Sequence, residues 1–180
     1  MTSTATTPHS PTAAGVTGER ADLLAMLAQQ RYFLRHTTRD LTDEQARQRT
    51  TASELCLGGL IKHVAAVEVS WRNFIERGPE AMEPTPTAET DWATQFDLLP
   101  GETLEGVLAD YAEVAARTDE LVAGLPGLDA DQPLPQAPWF EPGARWSARR
   151  VLLHIITETA QHTGHADIIR ESLDGAKSMG

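Results

Sequence analysis

The sequence predicts an all-α protein, a bundle of four helices joined by two long crossing connections. Three observations carry that expectation. Apolar residues recur at helical spacing in four separate segments, the stretches between them hold the Pro and Gly breakers, and no segment alternates apolar and polar residues with the β-branched enrichment of a strand.

Residues 1–17, MTSTATTPHSPTAAGVT, are rich in Thr, Ser, Ala and Pro and have no apolar period, so they read as a disordered lead-in to a single domain over 18–180. They also lack the basic start and apolar run of a secretory signal, which makes the cytoplasm the expected compartment. From about Glu19 to Arg39, Leu23, Leu27 and Leu34 recur at helical spacing, widened by Leu24, Ala28 and Phe33. Thr42-Asp43-Glu44-Gln45 has the form of a capping box and predicts a short helical turn to about Gln48. Thr51-Ala52-Ser53-Glu54 repeats that pattern and places the start of a second long helix near Thr51. Its inner face is Leu57, Leu60, Val64, Val67, Trp71 and Phe74, and Gly78-Pro79 ends it.

Residues 79–101 contain four prolines, Asp91 and the isolated Trp92 without a sustained period. A connection of that length crosses a bundle or covers a site. The third helix, roughly Thr103 to Gly124, lines up Leu104, Val107, Leu108, Tyr111, Ala115, Leu121, Val122 and Leu125. LPGLDADQPLPQAPWFEPGARW is the second crossing. Ser147 then caps a last helix that runs to about Leu173, where Asp174-Gly175 stops it. Helices of about 20–27 residues are about 30–40 Å long, and connections too long for hairpins imply that some neighbours run parallel.

Composition bounds the function. The 180 residues carry 26 Asp+Glu against 15 Lys+Arg, a net charge of −11, so no basic footprint for nucleic acid exists. A chain of this length buries roughly 70% of its unfolded surface without staples. The single cysteine, Cys56, cannot make an intrachain disulfide. No uncharged apolar stretch approaches the ~18–20 residues needed to cross a bilayer, so no membrane partner is expected.

Polar residues interrupt two of the apolar stripes. His63 lies three residues after Leu60 and four before Val67; Glu158 and His162 share a face of the last helix with Val151, Ile155 and Ile169. Charged groups are rarely buried unless paired or bound to a metal. Glu158 and His162, at i and i+4, can share a ligand, and with His63 from another helix the set is two imidazoles and a carboxylate, the composition of a zinc-type site with an open position. A dication with one carboxylate and neutral imidazoles keeps a charge of about +1, which favours an anionic further ligand such as hydroxide or thiolate.

Other readings stand beside this one. A lone histidine on an apolar stripe is commonly a hydrogen-bonded core residue, and a Glu/His helix pair is commonly solvent-facing, worth ~0.2–0.5 kcal/mol. His154 and His165 are rivals by spacing, although a His154, Glu158, His162 set is disfavoured because i and i+8 sit ~12 Å apart along the axis. Cys56 is expected to pack as a small apolar residue, and Asp167 with Arg170 to form a surface ion pair. Trp71, Trp92, Trp139 and Trp146 are core or site-lining bulk.

Gly58-Gly59-Leu60-Ile61-Lys62-His63-Val64-Ala65-Ala66-Val67-Glu68 with Trp71, Trp146-Ser147-Ala148-Arg149-Arg150, and the stretch from His154 through Glu158, His162, Gly164-His165-Ala166-Asp167 to Glu171 together resemble the DinB-like superfamily. The likeness is greatest to the branch near the mycothiol-dependent thiol transferases and maleylpyruvate isomerase, and it spans about residues 19 to 175. It implies an up-down-down-up four-helix bundle holding a divalent metal, zinc or nickel, between helices two and four. The family's first ligand maps onto His63 and its last onto His162. The middle ligand, histidine in many members, is Glu158 here, as in the maleylpyruvate isomerase type. His165 stands where many members carry glutamine, either behind a metal ligand or against substrate.

The resemblance also implies a low-molecular-weight thiol such as mycothiol as nucleophile or cofactor, a small-molecule electrophile, and an S-transferase or isomerase reaction. Arg149 or Arg150 would then meet anionic groups of a cofactor, and the connections near Trp92 and Trp139 would wall the substrate. Two other classes compete: a metal-dependent hydrolase or lyase using bound hydroxide, with His154 or His165 as acid or base, and a non-catalytic metal-binding protein. A bundle of this size can pair into a homodimer, although no exposed stripe marks one.

Overall fold

The computed structural model of the chain describes residues 16–82 and 94–179. Nearly all of the expected lead-in, together with Asp91 and Trp92, lies outside the described residues. Within them the chain forms α1 (Glu19–His36), α2 (Asp43–Arg47), α3 (Leu57–Arg77), a 3-10 turn (Pro79–Met82), α4 (Leu104–Gly124), β1 (Asp131–Pro133), β2 (Arg145–Ser147) and α5 (Ala148–Asp174). The protein is therefore mostly helical. Helix α3 packs on α4 and α5, and α1 packs on α5 and α4. No helix among the described residues is long and apolar enough to cross a membrane.

The local signals for α2 and α5 act as expected, and α4 adds a cap of its own. Thr42 and Gln45 form the reciprocal capping box. The Thr103 hydroxyl accepts from the Gly106 N–H, Ser147 accepts from the Arg150 N–H, and Gly175 ends α5 in the left-handed conformation at φ 80°.

Four expectations need correction. Strands were not expected, yet β1 and β2 pair antiparallel in the register Asp131↔Ser147, Gln132↔Trp146 and Pro133↔Arg145. Three residues per strand are too few to display alternation, and the Arg145 guanidinium bonds Asp131 across the pair at 2.7 Å. Helix α3 starts at Leu57 rather than near Thr51. The Thr51 hydroxyl meets Ser53 at 2.9 Å in a local turn, while Cys56 is the N-cap, its Sγ accepting from the Gly59 N–H at 3.4 Å. Helix α1 ends at His36, short of Arg39, because the buried Arg170 guanidinium donates to the Thr37 and Arg39 carbonyls at 2.8 and 2.7 Å.

Arg170 is thus no surface partner of Asp167. Its other contact is Asp174 at 2.8 Å, and Asp167 instead accepts from the Ser178 hydroxyl at 2.6 Å.

The core has two apolar clusters separated by a polar band. One contains Leu34, Val64, Tyr111 and Ala166; the other contains Leu27, Trp71, Val122 and Ile155. Between these positions each long helix carries buried polar groups: Arg31 on α1, Glu68 on α3, Thr118 on α4, and Thr159, His162 and Thr163 on α5. The threonines satisfy themselves on their own helices, Thr159 donating to the Ile155 carbonyl at 2.8 Å and Thr163 to the Thr159 carbonyl at 2.7 Å. Arg31 grips both Glu68 oxygens at 2.5 and 3.2 Å and reaches Asp119 at 2.8 Å. Among the described residues the fully buried carboxylate is Glu68, at 0% exposure, and its fork geometry with arginine is what makes burial tolerable. The candidate site lies in the same band.

Candidate metal centre

Helices α3 and α5 face each other across the polar band, which brings His63 to Glu158 and His162. One ligand atom from each of the three lies within 4.8 Å of the others. The His162 Nε2 to Glu158 Oε2 distance is 3.6 Å, and the two histidine rings stand edge to face at 4.8 Å. Donors around one tetrahedral ion with ~2.0 Å bonds are ~3.3 Å apart, so small side-chain rotations would close this set on a cation. Two imidazoles and a carboxylate are hard-to-borderline donors that suit a divalent ion. The donor set fits.

Burial favours the metal-binding protonation state. It pushes the His162 imidazole down to about 4, with His63 and His165 adding to the effect. Burial likewise lowers His63, against the opposing influence of the Gln95 hydrogen bond and Glu158. Both rings are therefore neutral at pH 7, the form that offers a lone pair. Glu158 was expected on a buried stripe; its side chain is 28% exposed, so the carboxylate sits at the mouth of the band rather than inside it.

His63 has a partner that sequence reasoning missed. Its Nδ1 lies 2.8 Å from Gln95 Oε1, and Phe96 covers its ring at 4.2 Å between centroids. Both come from the connection that leads into α4. That segment is pressed onto α3: the Cys56 thiol donates to the Phe96 carbonyl at 3.4 Å, Arg47 donates to the Leu98 carbonyl at 3.1 Å, and Gly59 has no side chain to hold Phe96 off. The one available signal was the cluster Phe96, Leu98, Leu99 at the end of a connection without period, which must be buried somewhere and brings Gln95 inward with it.

The remaining histidines flank the group. His165 Nδ1 is 3.4 Å from His162 Nδ1. His154 Nε2 is 3.8 Å from Glu158 Oε1, and its ring is held edge-on by Trp71 at 4.8 Å and Trp146 at 5.1 Å. Neither belongs to the three-residue group. Trp71 and Trp146 stack at 4.8 Å and continue to Phe140, whereas Trp139 is 76% exposed. Arg150 lies over the Trp146 ring at 4.4 Å, while Arg149 is taken up by Glu19 and Asp129. A cavity of about 500 Å³ beneath residues 134–143 is bordered by Phe140, and another of about 400 Å³ lies between Arg20 and Arg149; neither is lined by the three ligand candidates.

A mostly helical protein in which two packed helices converge two imidazoles and one carboxylate is, as a class, a candidate metalloprotein with a half-open site. The chain belongs to the mycothiol-S-transferase family, whose model matches residues 22–175. That span includes all three candidate ligands as well as Gln95 and His165. Among curated proteins none matches the chain.

Proposed function

We propose that the protein is a metal-dependent S-transferase in which His63, Glu158 and His162 hold a divalent ion, zinc or alternatively nickel, and a low-molecular-weight thiol of the mycothiol kind attacks a small-molecule electrophile. The convergence of the three donor atoms within 4.8 Å is the observation that carries this reading, and membership of the family supports it. The four long helices are read as an up-down-down-up bundle with the ion between α3 and α5, and the thiol chemistry as cytoplasmic.

A divalent ion held there would supply the acidity that lowers the pKa of a nearby thiol and favours its thiolate form at neutral pH. The chain's residues do the rest. His63 presents Nε2, since Gln95 occupies its Nδ1. Glu158 supplies one negative charge, which with a dication and two neutral imidazoles would leave a charge near +1, receptive to an anion. Phe96 shields one side of His63, and the exposed part of Glu158 marks the side open to solutes. In the transfer a carbon–sulfur bond forms with a sulfur electron pair, the leaving group departs with the pair of the broken bond, and the thiol proton passes to solvent.

The test is conjugation of a thiol to 1-chloro-2,4-dinitrobenzene, followed by release of chloride, with metal-loaded and metal-stripped protein. The expected result is turnover that needs both the metal and added thiol. Turnover of an ester or amide by the loaded protein without thiol would overturn the reading in favour of hydrolysis.

A further inference from the structure

We propose that Gln95 and His165 are positioning residues that accept hydrogen bonds from the Nδ1 atoms of the two ligand imidazoles, hold both rings as neutral Nε2 donors, and keep the centre electron-poor. This rests on the metal reading above. The two contacts come from different parts of the chain. Gln95 reaches His63 from the connection before α4 with its amide oxygen 2.8 Å from Nδ1. An amide oxygen only accepts, so Nδ1 carries the proton and Nε2 keeps the lone pair.

On α5 the same logic applies with a different acceptor. His162 points Nε2 toward Glu158 at 3.6 Å and Nδ1 toward His165 at 3.4 Å. A ring that binds through Nε2 has its proton on Nδ1, and the atom in line to accept it is Nδ1 of His165, whose own proton then sits on Nε2.

The chemical nature of these partners matters. Ligand histidines are often backed by carboxylates, which make the imidazole more basic and the ion less acidic. Here neither partner is a carboxylate, in a chain with 26 acidic residues from which to choose. Glu158 remains the one anionic group in the set, so the ion's pull on an incoming thiol is not spent on its own ligands.

Gln95→Ala, Gln95→Glu, His165→Gln and His165→Leu separate the possibilities. On metal-stripped protein, long-range ¹⁵N–¹H correlation reads the tautomer of His63 directly. The expected result is Nδ1–H in the wild type and a shift toward Nε2–H in Gln95→Ala; Nε2–H in the wild type overturns the assignment. On zinc-titrated protein, competition with a chelator reads affinity. Gln95→Ala and His165→Leu are expected to lose about 10–100-fold, His165→Gln to stay within about threefold, and Gln95→Glu to bind about tenfold tighter. Unchanged affinity in Gln95→Ala and His165→Leu, with His63→Ala losing zinc, refutes the positioning role alone. If the wild type binds no zinc, the metal reading itself fails. Far-UV circular dichroism on each variant confirms folding, and the near-isosteric Gln95→Glu keeps the test informative if Gln95→Ala unfolds.

Discussion

Replacing Gly59 by alanine disturbs the centre without touching a candidate ligand. A Cβ at this position would lie 2.7 Å from the Asp97 nitrogen and well inside contact distance of the Phe96 carbonyl. Carbon and carbonyl oxygen settle ~3.3–3.6 Å apart, so the segment has to retreat by about 1 Å or more, and backbone atoms have no rotamer to escape into. That movement breaks the Cys56 bond to Phe96 and draws Gln95 away from its 2.8 Å contact with His63. Overpacking costs about 1–3 kcal/mol and the lost hydrogen bonds about 1 kcal/mol more, against about 1 kcal/mol returned by alanine's helix propensity. A net loss of about 1–3 kcal/mol is expected in urea unfolding followed by circular dichroism, with zinc affinity down about tenfold. Gly164→Ala is the control. It sits on the exposed face of α5 with nothing within 4 Å of the added carbon, so it should gain up to about 1 kcal/mol and leave affinity alone. Gly59→Ala matching this control in both measurements would refute the account of how His63 is held.

Three further outcomes follow from the fold. Glu68→Leu strands the Arg31 guanidinium in the core with Asp119 alone and should cost about 3–5 kcal/mol in urea unfolding, most of which the double variant Arg31→Met/Glu68→Leu should recover. Arg170→Met removes the donor to the Thr37 and Arg39 carbonyls and should cost about 2–3 kcal/mol by the same measurement. Burial pushes the Glu102 carboxyl up, but the Lys62 ammonium at 2.9 Å, the Leu99 N–H and Arg47 outweigh it and hold it below the usual range. A folded value below the unfolded one means stability that is complete above about pH 4.5 and is lost as pH falls through the folded value. Glu102→Gln should therefore be less stable at pH 7 and show a flatter decline in acid, checked by urea midpoints from about pH 7 down to about pH 3.

The helices were legible because their signals are local and repeated. Leu23, Leu27 and Leu34 recur on α1, and Thr42, Thr103 and Ser147 cap where short-range hydrogen bonding dictates. The start of α3 was misread because Thr51 and Cys56 offer competing caps, and the choice falls to the Phe96 carbonyl, forty residues on, which takes the Cys56 thiol proton. Long-range pairing hid the rest. Glu68 reads as an ordinary helical acid until Arg31, thirty-seven residues earlier, closes on it. Asp167 and Arg170 have the spacing of an ion pair, but the C-terminus of α1 captures the arginine and the returning tail captures the aspartate. At the candidate site, spacing brought out His63, Glu158 and His162; Gln95 lies on a connection without period, where only tertiary contact assigns a role.

Elemental analysis of protein purified without chelators tests the central claim most directly, with the wild type compared to His63→Ala, Glu158→Gln and His162→Ala. About one equivalent of zinc or another divalent ion per chain in the wild type, and its loss in both histidine variants with weakened retention in Glu158→Gln, is the predicted result. A wild type with metal content near zero, or a His63→Ala protein with the same content as the wild type, would contradict it.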